Sequence, residues 1–377
     1  MEFKGLLDRL ADGTMTRREA LKYLGAAGLG LAMVPVMGRK ARAATVSYFT
    51  FDGYDIPEMF QSYVDAHGEP DMPVYGDAEE AFQKLRAGFV ADVMHPCSGD
   101  TPRWRNAGLI QAIDTSKLSN FGDLAPGLVN LKGTQFDGEQ WFMPFQWGQT
   151  SVAYRTDLVD LAGGEESWGI LWDKKYAGKV AMIDAAEDAW WCAAIYAGVD
   201  VSNLNDEGLI VISDQDIQKV RDVLTEQRDL VRIYSSDLAV VGQALASGEL
   251  VAAMTWNETA FYLRGEGIPV KFADPKEGAL TWCCGVVLHA EAPNPDLALE
   301  LIDSMISPES GIYQIREFGY GHSNLKAVEA FSDAELADRG LSRDPRKTLA
   351  RGHNFGGVDP AVQQQINRDW EEITAGF

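Results

Sequence analysis

From Thr45 onward, short strand-like stretches alternate with helix-like ones, and no Pro-, Gly- or Ser-rich linker interrupts them. Thr45–Thr50 reads as a strand, Pro57–Ala66 as a helix opened by proline, and Val74–Tyr75 as the start of a second strand. A helix over Ala78–Ala87 ends at Gly88, and a third strand over Asp92–His95 stops at Pro96. Further on, Val180–Ile183, Val251–Thr255 and Val286–Leu288 are strand-like, while Ala189–Ala197 and Pro295–Ile306 are helical. Asp214–Arg228 puts Ile217, Val220, Val223 and Leu224 on one face, the pattern of an amphipathic helix with Asp214 near its N-terminus. This alternation predicts an α/β fold. The 334 residues after position 43 exceed what one core usually supports, so two lobes are expected. Without a linker, the chain must cross between them on extended segments, near Gln146–Tyr154 and again near Trp282–Leu288. Two lobes joined by crossing strands form a hinge with a cleft between them.

The first 43 residues follow a different logic. Arg17 and Arg18 stand in TRREALK, directly before an uncharged run from Tyr23 to Met37 and a small-residue end at Ala41-Arg42-Ala43. A basic region, a short apolar region and a cleavable end make an export signal. The segment resembles the twin-arginine type, Ser/Thr-Arg-Arg-x-Phe-Leu-Lys: Thr16, Arg17, Arg18, Leu21 and Lys22 match, and Ala20 replaces the usual Phe. Fifteen uncharged residues are too few to cross a bilayer of about 30 Å. The mature chain is expected to begin near Ala44, outside the cytoplasmic membrane, with no later run of transmembrane length.

Beyond residue 43 the chain holds 25 basic and 52 acidic residues, a net charge near −27. Such a surface repels nucleic acid and anionic lipid and favours cationic partners. Four cysteines, Cys97, Cys192, Cys283 and Cys284, are too few and too irregular for a disulfide scaffold, and none forms a CxxC pair. A bridge between the adjacent Cys283 and Cys284 would close a strained ring, but an oxidising compartment could couple another pair.

Several blocks resemble the spermidine/putrescine-binding proteins of ABC importers. They are GLIQAIDTSKLSNFGDL (108–124), MPFQWGQTSVAY (143–154), SWGILWDKKYAGKV (167–180), SGELVAAMTWNETAF (247–261), DPKEGALTW (274–282) and FGYGHSN (318–324). They occur in family order over most of the mature chain. The resemblance implies a two-lobe periplasmic binding protein of type II, with residues 44–148 plus 284–320 in lobe one and 149–283 plus 321–377 in lobe two. It implies a monomeric receptor, free of cofactors, that delivers a polyamine-like cation to an ABC importer permease.

A cationic amine needs aromatic faces for its charge and methylenes, and carboxylates for its ammonium heads. By the resemblance, Phe51 and Tyr54 offer two aromatics after the first strand, and Trp256, Trp282 and Tyr320 fall on cleft positions. Of the family's acid pair, Ala185 takes one position and Asp188 the other; Asp184 and Glu187 lie close enough to substitute, although a helix N-terminus also attracts acids. Cys284 stands where the family has another acid. Cys97, Ser98 and Gly99 stand where it offers a hydroxyl and then an aromatic, so Gly99 is expected to open space. These departures favour a bulkier, singly charged or quaternary ammonium ligand over a diamine clamped at both ends.

The sequence admits other readings. Cys97 and Cys284, expected to face the cleft from opposite lobes, could ligate a soft metal with His95 or His322, or be small buried hydrophobes kept reduced. A ferric-ion receptor on the same fold would use Tyr54, Tyr320 and His322. A secreted cofactor enzyme is the rival class, yet the mature chain has no GxSxG, HExxH, P-loop or GxGxxG.

Overall fold

Two long strands with almost no exposed residue run through the middle of one mixed sheet, and the rest of the fold hangs from them. The structure is a computed structural model that describes residues 45–376 apart from Ala162 and Phe355. The export signal expected over 1–43 lies outside the described residues.

The strands along the main path of the sheet are β1 (Tyr48–Phe51), β2 (Val74–Tyr75), β3 (Val93–Met94), β4 (Met143–Arg155), β5 (Val180–Met182), β6 (Val231–Tyr234), β7 (Ala252–Trp256) and β8 (Leu280–His289). Their order across the sheet is β2-β1-β3-β8-β4-β7-β5-β6. Each flank is a parallel set, β2-β1-β3 on one side and β7-β5-β6 on the other. Parallel flanks need helical crossovers. These include α1 (Ala78–Arg86), α2 (Ala186–Tyr196) and α3 (Asp214–Arg228), with α4 (Asn257–Gly265), α5 (Pro308–Glu317) and α6 (Pro360–Ala375) following. Asp77 caps α1 by accepting from the Glu80 amide, and Ser213 caps α3 through the Asp216 amide. Ile217, Val220 and Leu224 of α3 are buried as the periodicity predicts.

The crossing strands β4 and β8 are antiparallel to each other and to their flanks. β8 begins against β4, with Leu280 opposite Thr150, which in turn faces Trp256 of the second flank; it ends beside the first flank, with Val287 opposite Met94. Its register shifts between Cys284 and Gly285, where the strand passes from one half to the other. Gly285 is required there: a Cβ would meet the Met143 carbonyl oxygen and the Phe142 ring.

Separate cores form on the two sides. Trp104, Phe49, Phe142, Trp147 and Cys283 pack together on the first, while Trp168, Trp190, Trp191, Val180 and Met254 pack on the second. The two-lobe α/β architecture expected from the alternation is therefore present. Ile366, Trp370 and Ile373 of α6 join the second core, whereas Ala327, Val328, Phe331 and Leu336 join the first. The lobes touch through backbone. The Gly99 carbonyl lies against Gly357, and a Cβ on Gly208 would fall 2.9 Å from the Gly133 Cα. Lys132 also reaches the Leu204 carbonyl, at 3.4 Å.

Candidate ligand cleft

At the hinge, strand ends and loops from both lobes converge on one aromatic cluster. Trp282 and Tyr320 are buried in it, and Tyr54, Trp256 and Phe318 are partly buried against them. Trp282 lies on β8, and its indole crosses β4 where Gly148 has no side chain. Trp256 ends β7 and touches both this cluster and the second-lobe core. Tyr320 meets Trp282 edge-on, with centroids 4.9 Å apart at 83°, and Tyr54 stacks on Phe318 at 5.4 Å and 18°. None of the cation–π contacts among the described residues uses the faces of Tyr54, Trp256, Trp282 or Tyr320.

Glu258, in the first turn of α4, is buried beside this cluster. Burial pushes its carboxyl up to about 7, against a lowering hydrogen bond from the Tyr320 hydroxyl. Among the described residues, no Lys, Arg or His is one of the groups that shift it. Asp188, in the first turn of α2, is pushed up to about 7 by burial, and its backbone amide only partly opposes this. Glu187 is raised well above the ordinary range, first by burial and then by Asp100 and Asp188. Asp100, on the opposite lobe, is itself pushed up to about 6 by burial, with Arg103 and the Cys97 amide pulling the other way. Acids that merely complement a helix dipole titrate low. Here burial wins: Arg103 only partly offsets it at Asp100 and Glu187, and no basic side chain is among the groups that shift Glu258 or Asp188.

The remaining expected residues are placed as follows. Asp184 is exposed, with its backbone carbonyl accepting from the Ser236 hydroxyl at 3.2 Å. Phe51 packs on Tyr75 at 4.6 Å and on His95 at 5.2 Å, in the first-lobe core rather than in the aromatic cluster. Ser98 is buried in the short turn after β3. Glu258, Asp100 and Phe318 were not anticipated. For Glu258 the available signal was its place two residues after Trp256.

Cys97 and Cys284 form a disulfide across 187 residues of sequence. They do not oppose each other across the cleft: β3 and β8 are neighbours, and the two cysteines form a bridge in the same sheet. Cys192 and Cys283 are free and buried. A soft-metal site on Cys97 and Cys284 is thus excluded, because both sulfurs are bonded. His95 is equally committed. Its Nδ1 meets Thr50 Oγ1 at 2.9 Å and the Tyr48 hydroxyl at 3.1 Å, and its Nε2 meets Gln146 Nε2 at 3.1 Å. Burial lowers its pKa to about 3. The ferric set also fails to assemble. His322 Nε2 pairs with the Met305 carbonyl at 3.1 Å, its Nδ1 accepts from the Asn324 amide at 3.1 Å, and Tyr320 is tied to Glu258. Nor does Gly99 open space. A Cβ there would fall 2.6 Å from the Gly357 nitrogen, because the segment at 356–357 fills the gap.

Residues 70–344 match the model of the bacterial extracellular solute-binding protein family. The chain belongs to that family. Among its relatives, the spermidine/putrescine-binding periplasmic protein of Escherichia coli is 27% identical over 338 residues, covering 88% of this chain and 92% of the relative. The putrescine/agmatine-binding protein of Pseudomonas aeruginosa is 25% identical, covering 92% and 98%. A spermidine/putrescine ABC transporter structure from Listeria monocytogenes superposes with a TM-score of 0.75 at 20% identity, covering 87% of this chain and 98% of that one. In solute-binding proteins of this build, a cleft at crossing strands is where closure captures a solute.

Proposed function

We propose that this chain captures a small organic dication outside the cytoplasmic membrane and hands it to an ABC importer permease, without chemical turnover. The observation that carries this reading is the Glu258 carboxyl, buried beside Tyr54, Trp256, Trp282 and Tyr320 with no basic side chain acting on it. An ammonium group would supply the missing charge, and the aromatic faces would take its methylenes. A second acid position lies at Asp188 and Glu187, and neither Asp188 nor Glu258 is among the groups that shift the other. Two separate acid positions favour a diammonium ligand over the singly charged one that Cys284 and Gly99 suggest in sequence. Relatives named for spermidine, putrescine and agmatine support the class.

Titration calorimetry with putrescine, spermidine and choline, on protein stripped of co-purified solute, tests the reading. Binding of the diamines with weaker or no binding of choline is the expected result. Silence toward all three ends it.

The packing also supports a proposal for the lobes: residues 45–148 and 284–349 on one side, 149–283 and 350–376 on the other. For delivery, Arg17 and Arg18 support export by the twin-arginine route. Replacing both with Lys should retain uncleaved protein in the cytoplasm, and unchanged export would exclude that route.

A further inference from the structure

The disulfide lies inside the aromatic cluster rather than in a remote core. Cys284 and Cys97 both pack with Trp282, Tyr320, Tyr54 and Trp256. Residues two apart on a strand share a face, so Cys284 stands beside Trp282, while Cys283 points to the first-lobe core. Cys284 also occupies the point where β8 shifts register between the lobes. The bridge therefore joins the hinge strand to the loop after β3.

That loop is the first lobe's lip. It is held to β8 by the Gly285 amide bonding to the Pro96 carbonyl at 3.0 Å, and next by the disulfide itself. Beyond Cys97 it turns on itself, with the Asp100 amide donating to the Cys97 carbonyl at 3.1 Å and the Cys97 amide to Asp100 Oδ2 at 3.3 Å. It then carries Gly99 against Gly357 of the other lobe and Asp100 toward Glu187. The position of Cys97 thus sets both the Gly99–Gly357 contact between the lobes and the acid that acts on Glu187.

We infer that the Cys97–Cys284 disulfide is a positioning element of the ligand site, so that the receptor captures its cation in the oxidised form and loses affinity when a dithiol reduces the bridge. This rests on the amine-receptor reading above. Cys97 is the more exposed partner, with Cys284 5% exposed. A dithiol thiolate attacks Cys97 Sγ, the S–S bond breaks, and Cys284 leaves as a thiolate that takes a proton. The second thiol of the reductant then displaces Cys97, closing a cyclic disulfide. Two electrons and two protons end on the protein, and the dithiol is oxidised.

The test compares putrescine and spermidine affinities of the exported protein before and after dithiothreitol treatment, with mass spectrometry counting the added protons. Thermal unfolding is followed in parallel, and a Cys97→Ser/Cys284→Ser double variant is included. The expected result is a Kd at least ten-fold weaker on reduction, restored by reoxidation, with the protein still folded at the assay temperature. The double variant should match the reduced protein and ignore dithiothreitol. A structural brace alone would lower the unfolding temperature and leave Kd unchanged. Reduced protein binding within two-fold of the oxidised form overturns the inference, as does loss of binding that coincides with global unfolding. If the oxidised protein binds neither amine, the receptor reading fails and takes this inference with it.

Discussion

The Tyr320 hydroxyl and the Glu258 carboxyl shift each other's titration through a hydrogen-bonding interaction, and no basic side chain is among the groups that shift either one. One residue closes the FGYG turn and the other opens α4, so the bond joins two chain segments at the hinge. A buried carboxyl held by a single neutral donor still needs a positive partner to ionise comfortably.

Glu258→Gln keeps the shape and removes the charge. A hydrogen bond to a charged group contributes about 1.5–3 kcal/mol, so diamine binding should weaken by roughly ten- to a hundred-fold. Tyr320→Phe removes a donor that acts through the carboxyl, and its effect should be smaller. Calorimetry on both variants decides; unchanged affinity in Glu258→Gln would remove that residue from the site.

The raised carboxyls also fix a pH dependence. Glu258 and Asp188, pushed up to about 7, and Asp100, pushed up to about 6, hold protons in the ligand-free fold that an unfolded chain releases near pH 4. Their contribution to the stability of the empty protein is therefore full below pH 4 and is lost as pH rises through 6 to 7. Binding a cation runs the other way, because it favours the ionised form and expels protons. Affinity for putrescine should rise between about pH 5 and pH 8, with proton release visible in buffers of different ionisation heat. A flat profile would show that these groups do not face the ligand.

Gly148 marks how closely Trp282 approaches β4. A Cβ there would fall 2.7 Å from Trp282 Cη2 and 3.0 Å from Asn257 Oδ1. Gly148→Ala must tilt the indole or move α4, whose Asn257 side chain accepts from the Gln149 amide at 3.2 Å. Overpacking of this kind costs about 1–3 kcal/mol. The expected outcome is a lower unfolding temperature together with weaker ligand-induced quenching of tryptophan fluorescence. Normal values for both would mean that the ring can shift freely.

The sequence discloses the frame better than the site, for physical reasons. Asp214–Arg228 is readable because its apolar residues repeat at the helical period, and it ends where the pattern ends. The crossing strands are readable because Gln146–Tyr154 and Trp282–Leu288 are uncharged runs with no linker beside them. Glu258 is hidden because an acid in the first turn of a helix has a simpler explanation in the helix dipole. The disulfide is hidden because 187 residues separate its halves, and only the adjacency of β3 and β8 brings them together. Gly99 misleads for a similar reason: what fills its space is Gly356–Gly357, whose path no local pattern reveals.

Gly99 and Gly357 meet backbone to backbone. They lie one on each lobe: Gly99 is in the short helical turn Ser98–Asp100 after β3, and the Gly357 carbonyl accepts from the Ile210 amide at 2.8 Å within the second lobe. A Cβ on Gly99 would meet the Gly357 nitrogen at 2.6 Å, and one on Gly357 would strike the Gly99 carbonyl oxygen. Both obstacles are backbone, so no side chain can swing aside. Neither residue is in the aromatic cluster, and an opened cleft would separate them. Gly357→Ala should therefore leave the thermal stability of the ligand-free protein near that of the parent, since opening relieves the clash. Ligand binding must close the lobes against it, which should weaken Kd by about ten-fold, the equivalent of 1.4 kcal/mol. Small-angle scattering with saturating putrescine should show less compaction than in the parent. Full compaction at unchanged affinity would mean that the two segments yield without strain, and that closure is limited elsewhere.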